Sequence, residues 1–157
     1  MLTSLNQVLD KIREFTDNHA FINSFGYGEI ADISTSTATI YPMCYATHTQ
    51  SSTIQLNGRQ MLPELSLTIL MMDRINDLTP PSTENGANSS NQEDVMSDMF
   101  QLQQDLLFYL QTAFSGGAIT ASANLIPIFD DTVDYAAGWS MTITIKLQYQ
   151  NCSIPNV

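Results

Sequence analysis

At 157 residues, 43% of them apolar, the chain has the length of one domain with one core, and wholesale disorder is excluded. Sixteen acids against five bases give a net charge of −11, so nonspecific binding to nucleic acid or to an anionic membrane would run against the protein's own field. Only 13% of residues are charged, against a usual quarter or so, a composition that suits a surface covered by partners.

The first element is an amphipathic helix. In "TSLNQVLDKIREFTDNH" Leu2, Leu5, Val8, Leu9, Ile12 and Phe15 fall on one stripe, and Ser4 with Gln7 has the form of a capping box. His19 stands at its end, where a histidine often satisfies terminal carbonyls. The following "AFINSFGYGEI" reads as a turn punctuated by Gly26 and Gly28 and anchored by Phe21, Phe25 and Tyr27. It lacks the preceding buried strand and the third glycine of a dinucleotide loop.

Residues 37–47 read as a strand. Pro42 interrupts it and predicts an edge position or a bulge. A second apolar run, "ELSLTILMMD" at 64–73, lies beyond the turn signal Asn57-Gly58, so 38–73 reads as strand, long protruding hairpin, strand. The stretch 77–92 is a loop by composition. It is read as an insertion within one domain spanning 1–157, not as a boundary.

Ser90 with Glu93 forms a second capping box and opens a helix that Gly116-Gly117 ends. Val95, Met99, Leu102, Leu106 and Leu110 make one row, and Met96, Phe100, Leu107 and Phe114 widen it into contact on two sides. "AITASANLIPIFDD" then reads as a strand. In its partner, Trp139, Met141, Ile143, Ile145, Leu147 and Tyr149 alternate with Ser140, Thr142, Thr144, Lys146, Gln148 and Gln150, the pattern of a half-solvated antiparallel strand. The fold class is therefore α+β: an antiparallel sheet of four or more strands with two helices packed on one face. No internal repeat is evident.

Chemical motifs are sparse. No nucleophile elbow, zinc-protease motif or Walker loop occurs. His19 and His48 have no ligand at metal spacing, and Cys44 and Cys152 are read as free thiols in a reducing cytoplasm. No run approaches the roughly 18 apolar residues of a membrane span. The one acidic constellation, Asp130, Asp131 and Asp134, has neither the order of a calcium loop nor an evident pocket, and reads as a solvated turn. No catalytic, cofactor-binding or metal-binding residue is assigned.

The succession of an N-terminal amphipathic helix, "INSFGYGEI", "IYPMCY", a mid-chain helix, "FDDTVDYAAGWSMTITI" and a terminal "NCSIP" resembles small structural proteins of tailed bacteriophages, the tail-terminator and tail-completion or neck-ring group. The resemblance implies a homo-oligomeric ring at the head–tail junction, contacting portal, neck or tail-tube proteins, located in the virion and without catalysis. DNA would pass through such a ring without sequence-specific binding, and an acidic lumen would repel its phosphates. Expected contacts with neighbouring subunits or partners are His48, Gln50, Asn57, Gly58 and Arg59 on the hairpin, Pro80 and Asn85 on the 77–92 loop, and Asp131. A tail-tube or baseplate component is the alternative within the virion. A metal- or ligand-binding domain or enzyme built on Asp130–Asp134 is the alternative of another class.

Overall fold

The computed structural model describes residues 4–35, 40–48, 52–57, 60–75, 91–114, 119, 123–130 and 135–147. The elements are α1 (Leu5–Asn18), β1 (Ser24–Tyr27), α2 (Ala31–Thr35), β2 (Met43–Thr47), β3 (Thr53–Asn57), β4 (Gln60–Arg74), α3 (Gln92–Ala113), β5 (Asn124–Asp130) and β6 (Ala136–Lys146). The class is α+β, with three helices and one six-stranded sheet among the described residues. Its strand order is β1-β2-β4-β6-β5, with β3 added on β4. Every pairing is antiparallel except β1 with β2, so the sheet is mixed rather than purely antiparallel.

The chain beginning at Ser24 explains the difference. "SFGY" is a four-residue parallel edge strand, half-exposed and interrupted by a glycine, too short for a period of two to register. Gly26 is required there because the Tyr45 ring lies across it, only 2.5 Å from where a Cβ would stand. Pro42 does not mark an edge. It immediately precedes β2, whose five residues are all buried between β1 and β4. At a strand's first position the missing N–H costs no ladder bond, and the Pro42 carbonyl accepts from the Asn23 N–H at 2.8 Å.

The principal core follows from the two periodicities. Val8, Leu9, Ile12 and Phe15 of α1 and Val95, Met99, Leu102, Leu106 and Leu110 of α3 are buried with the odd-numbered positions of two central strands: Leu67, Ile69 and Met71 of β4, and Ala137, Met141, Ile143 and Ile145 of β6. α3 packs against β4 and β6, and α1 packs against α3 and β1. Each fully buried aliphatic side chain contributes about 1.5–3 kcal/mol. The opposite sheet face holds a smaller cluster of Met43, Tyr45, Leu70, Met72 and Ala136, with Ile33 of α2 against it.

Helix ends show both agreement and correction. The Ser4 Oγ accepts from the Gln7 N–H at 3.4 Å, as the capping box requires. α3 starts at Gln92 behind Asn91, whose side chain makes no cap bond, so Glu93 sits in the first turn without its expected partner position. Ser90 and Gly116-Gly117 lie outside the described residues. His19 closes α1 through its backbone, donating to the Thr16 carbonyl at 3.3 Å, rather than through its ring.

Gly138 draws β4 and β6 together, and Gln103 ties the sheet to α3. A Cβ on Gly138 would stand 1.8 Å from the Met71 carbonyl oxygen, so β4 and β6 approach there as no other residue permits. Gln103 is fully buried in the row otherwise held by Leu102 and Leu106, and its Nε2 donates to the Ile69 and Trp139 carbonyls, each at 2.9 Å. Trp139 answers by donating its Nε1–H to the Met96 carbonyl at 2.9 Å. No described helix is long and apolar enough to cross a membrane.

Candidate interaction site

β4 carries the most unusual surface because it is longer than the strands beside it. Glu64 pairs with Thr53 of β3 and also with Lys146 of β6, so β3 and β6 lie on opposite sides of β4. Thr68 to Met72 likewise pair with both β2 and β6. β2 and β3 therefore run in one direction along the same side of β4. Among the described residues, Gln60 to Leu62 of β4 are paired with β3 alone, which makes this end of the described sheet a two-stranded ribbon.

The register fixes which side chains share a face of this ribbon. Ile54 pairs with Pro63 and Leu56 with Met61, so these four apolar side chains stand together. Ile54 is 68% exposed, Leu56 75%, and Met61 is exposed as well. Met61 and Pro63 continue the odd-numbered row of β4 that the core buries farther along at Leu67, Ile69 and Met71. The main apolar face of the sheet thus runs on beyond the part that packs against α3. An uncovered apolar strand face of this kind marks an association surface. Residues 48–63 also contain no Asp or Glu, in a chain with sixteen, so the ribbon can meet another acidic molecule without burying an unpaired carboxylate.

Of the expected contact residues, His48 and Asn57 are described. His48 is exposed but pinned: its Nδ1 lies 3.2 Å from the Ser66 carbonyl, which only an Nδ1–H can satisfy, and its Nε2 lies 2.9 Å from the Tyr27 hydroxyl. The two rings meet edge to face at 5.7 Å. His48 therefore ties the end of β1 to β4 at the base of the ribbon. The Asn57 backbone ends β3 opposite Gln60. Gln50, Gly58, Arg59, Pro80, Asn85 and Asp131 lie outside the described residues, as does the rest of the acidic turn up to Asp134; Asp130 closes the β5–β6 hairpin opposite Ala136.

The apolar residues of the ribbon, Ile54, Leu56, Met61 and Pro63, were not singled out by sequence reasoning. Their signal was available as two alternating apolar positions on either side of Asn57-Gly58. It reads as ordinary core until the missing cover is seen. The β5 edge is built differently. β5 carries Pro127 opposite Trp139, and a proline there obstructs strand addition.

The chemistry-bearing residues elsewhere are quiet. Cys44 is free and fully buried in β2, and burial pushes its thiol far above the ordinary range, which suits a small core residue and not a nucleophile. Among the described residues no group of three or more His, Cys, Asp or Glu is arranged to hold a metal. No protein-family model matches the sequence, and no curated protein matches it.

Proposed function

We propose that this protein is a structural assembly subunit whose β3–β4 ribbon seats against a neighbouring copy, and that it forms a ring of the tail-terminator or neck type in a tailed-phage virion. In this reading α1 and α3 form one layer on the sheet, and the ribbon is a hairpin projecting past that layer. The single observation that carries the assembly reading is the row of exposed Ile54, Leu56 and Met61 with half-buried Pro63, a continuation of the core face that no described residue covers. The low charge density and the acid-free ribbon support it. The virion context rests on the resemblance of sequence order, from the first helix to the terminal "NCSIP".

Head-to-tail docking of one ribbon on a neighbour is a heterologous contact, and such contacts close into rings when the rotation per subunit divides the circle. Electron microscopy of the purified protein tests this: closed rings with a central opening are expected. Irregular aggregates, or single subunits at every concentration, would exclude a ring-forming subunit.

A further inference from the structure

We infer that a cleft on the other side of the molecule is a receptor for an arginine side chain presented by a partner protein. The cleft encloses about 230 Å³ and is built by four separate parts of the chain: His19 and Phe21 after α1, Pro42 before β2, Asp73 near the end of β4, and one side of α3. That volume is below the roughly 300–1,000 Å³ of pockets that swallow a whole small molecule, and suits one inserted side chain. Its walls are chiefly apolar, with Pro42, Met99 and Leu102 offering a bed for an aliphatic stem. Phe21 is 71% exposed at its mouth, an aromatic face on which a planar guanidinium can stack.

Charge decides the occupant. Asp73, Asp98 and Asp105 line the cleft, and among the described residues lining it none is Lys or Arg. Asp98 and Asp105 are seven positions apart on α3, two turns and about 10.5 Å along the axis, so they flank the apolar bed instead of meeting across it. Asp105 is oriented by Gln101, whose Nε2 donates to its Oδ1 at 2.9 Å. His19 accepts the Phe21 N–H on Nδ1 at 3.4 Å, which leaves Nε2 as the protonated nitrogen, 3.9 Å from the Asp105 Oδ2. Of the described bases, Arg13 pairs with Asp10, Lys11 with Glu14, and the Arg74 guanidinium lies over the Tyr41 ring.

Burial raises the Asp73 carboxyl above its ordinary range, the Arg74 backbone N–H that its Oδ1 accepts at 2.7 Å offsets part of this, and the charge of Asp98 raises it further. A cation between them relieves both effects. Arginine fits better than lysine because its flat, weakly hydrated head stacks on Phe21 and bonds a carboxylate with two parallel N–H groups. A bare metal ion would not use the apolar bed.

The inference does not depend on the virion reading, and its test is separate. Blocked arginine (Nα-acetyl-arginine N-methylamide) and its neutral isostere, blocked citrulline, are titrated into the isotopically labelled full chain at low salt, with amide NMR spectra recorded. Shifts confined to residues around Asp73, Asp98, Gln101 and Leu102 are expected. Affinity for arginine should exceed that for citrulline by at least about tenfold, and the gap should close in Asp98→Asn/Asp105→Asn. Phe21→Ser, at an exposed position, should weaken arginine alone. Equal affinity for arginine and citrulline, equal affinity for blocked lysine, no localised shifts, or an unchanged preference in the double variant would each overturn the assignment.

Discussion

Substituting Gly138 by alanine is the sharpest test of the sheet geometry. The added methyl would lie 1.8 Å from the Met71 carbonyl oxygen, 2.8 Å from its carbon and 2.9 Å from the Met72 Cα, all backbone atoms that no rotamer change can move. Bringing the closest contact out to 3.0 Å requires 3.0 − 1.8 = 1.2 Å of separation between β4 and β6. Strands are normally spaced about 4.8 Å apart, so a displacement of that size breaks the local ladder. Two lost backbone hydrogen bonds cost about 1–3 kcal/mol, and overpacking of a close-packed core about 1–3 kcal/mol more. Gly138→Ala is therefore expected to destabilise the protein by about 4 kcal/mol, which at this chain length is a fall of about 8–16 °C in Tm. Urea denaturation followed by circular dichroism measures it, with Ser140→Ala, a half-buried position on the same strand, as the control expected within about 0.5 kcal/mol. A loss below about 1 kcal/mol for Gly138→Ala would mean that the two strands do not make this close approach.

Two further outcomes follow from buried polar groups. Gln103→Glu replaces the donor held between the Ile69 and Trp139 carbonyls with an acceptor, and should cost about 3 kcal/mol or more at neutral pH. The carboxyl's pKa would be raised in the folded state, so the ionisation part of the penalty should shrink as pH falls from that raised value towards the ordinary glutamate range and be gone below it; a pH-independent loss would place the side chain in solvent. Asp73 has the same sign in the native protein. Its folded pKa is raised above the ordinary 3.8 by burial, partly offset by the Arg74 backbone N–H and raised further by Asp98, so its ionisation opposes folding as pH rises above that value. Asp73→Asn should raise Tm near neutrality and leave it unchanged well below pH 3.8. A stabilisation that persists in acid would refute the electrostatic cause.

The long periodic elements were legible in the sequence because burial follows a simple period. The row Val95, Met99, Leu102, Leu106 and Leu110 is buried as spaced, and the Trp139-to-Leu147 alternation faces α3 as written. Elements too short to hold a period were missed: β1 with four residues and α2 with five. Gln103 was missed for a different reason. A polar side chain at a buried helical position is visible only when the carbonyls that accept from its amide nitrogen, 34 and 36 positions away, are known. The cleft shares this difficulty, since His19, Pro42, Asp73 and Asp98 meet through topology alone. The ribbon's apolar residues were readable as strand, whereas their exposure is visible only in the fold.

That exposure makes the ribbon the decisive place to measure. Ile54→Ser/Leu56→Ser removes the two most exposed apolar side chains of the row without touching the core, so the fold and its Tm should be retained. Light scattering coupled to size-exclusion chromatography, run over a range of concentrations, should show an oligomer for the native chain and a monomer for this double variant. If both proteins have the same mass at every concentration, the ribbon is not the assembly surface and the proposed function falls with it.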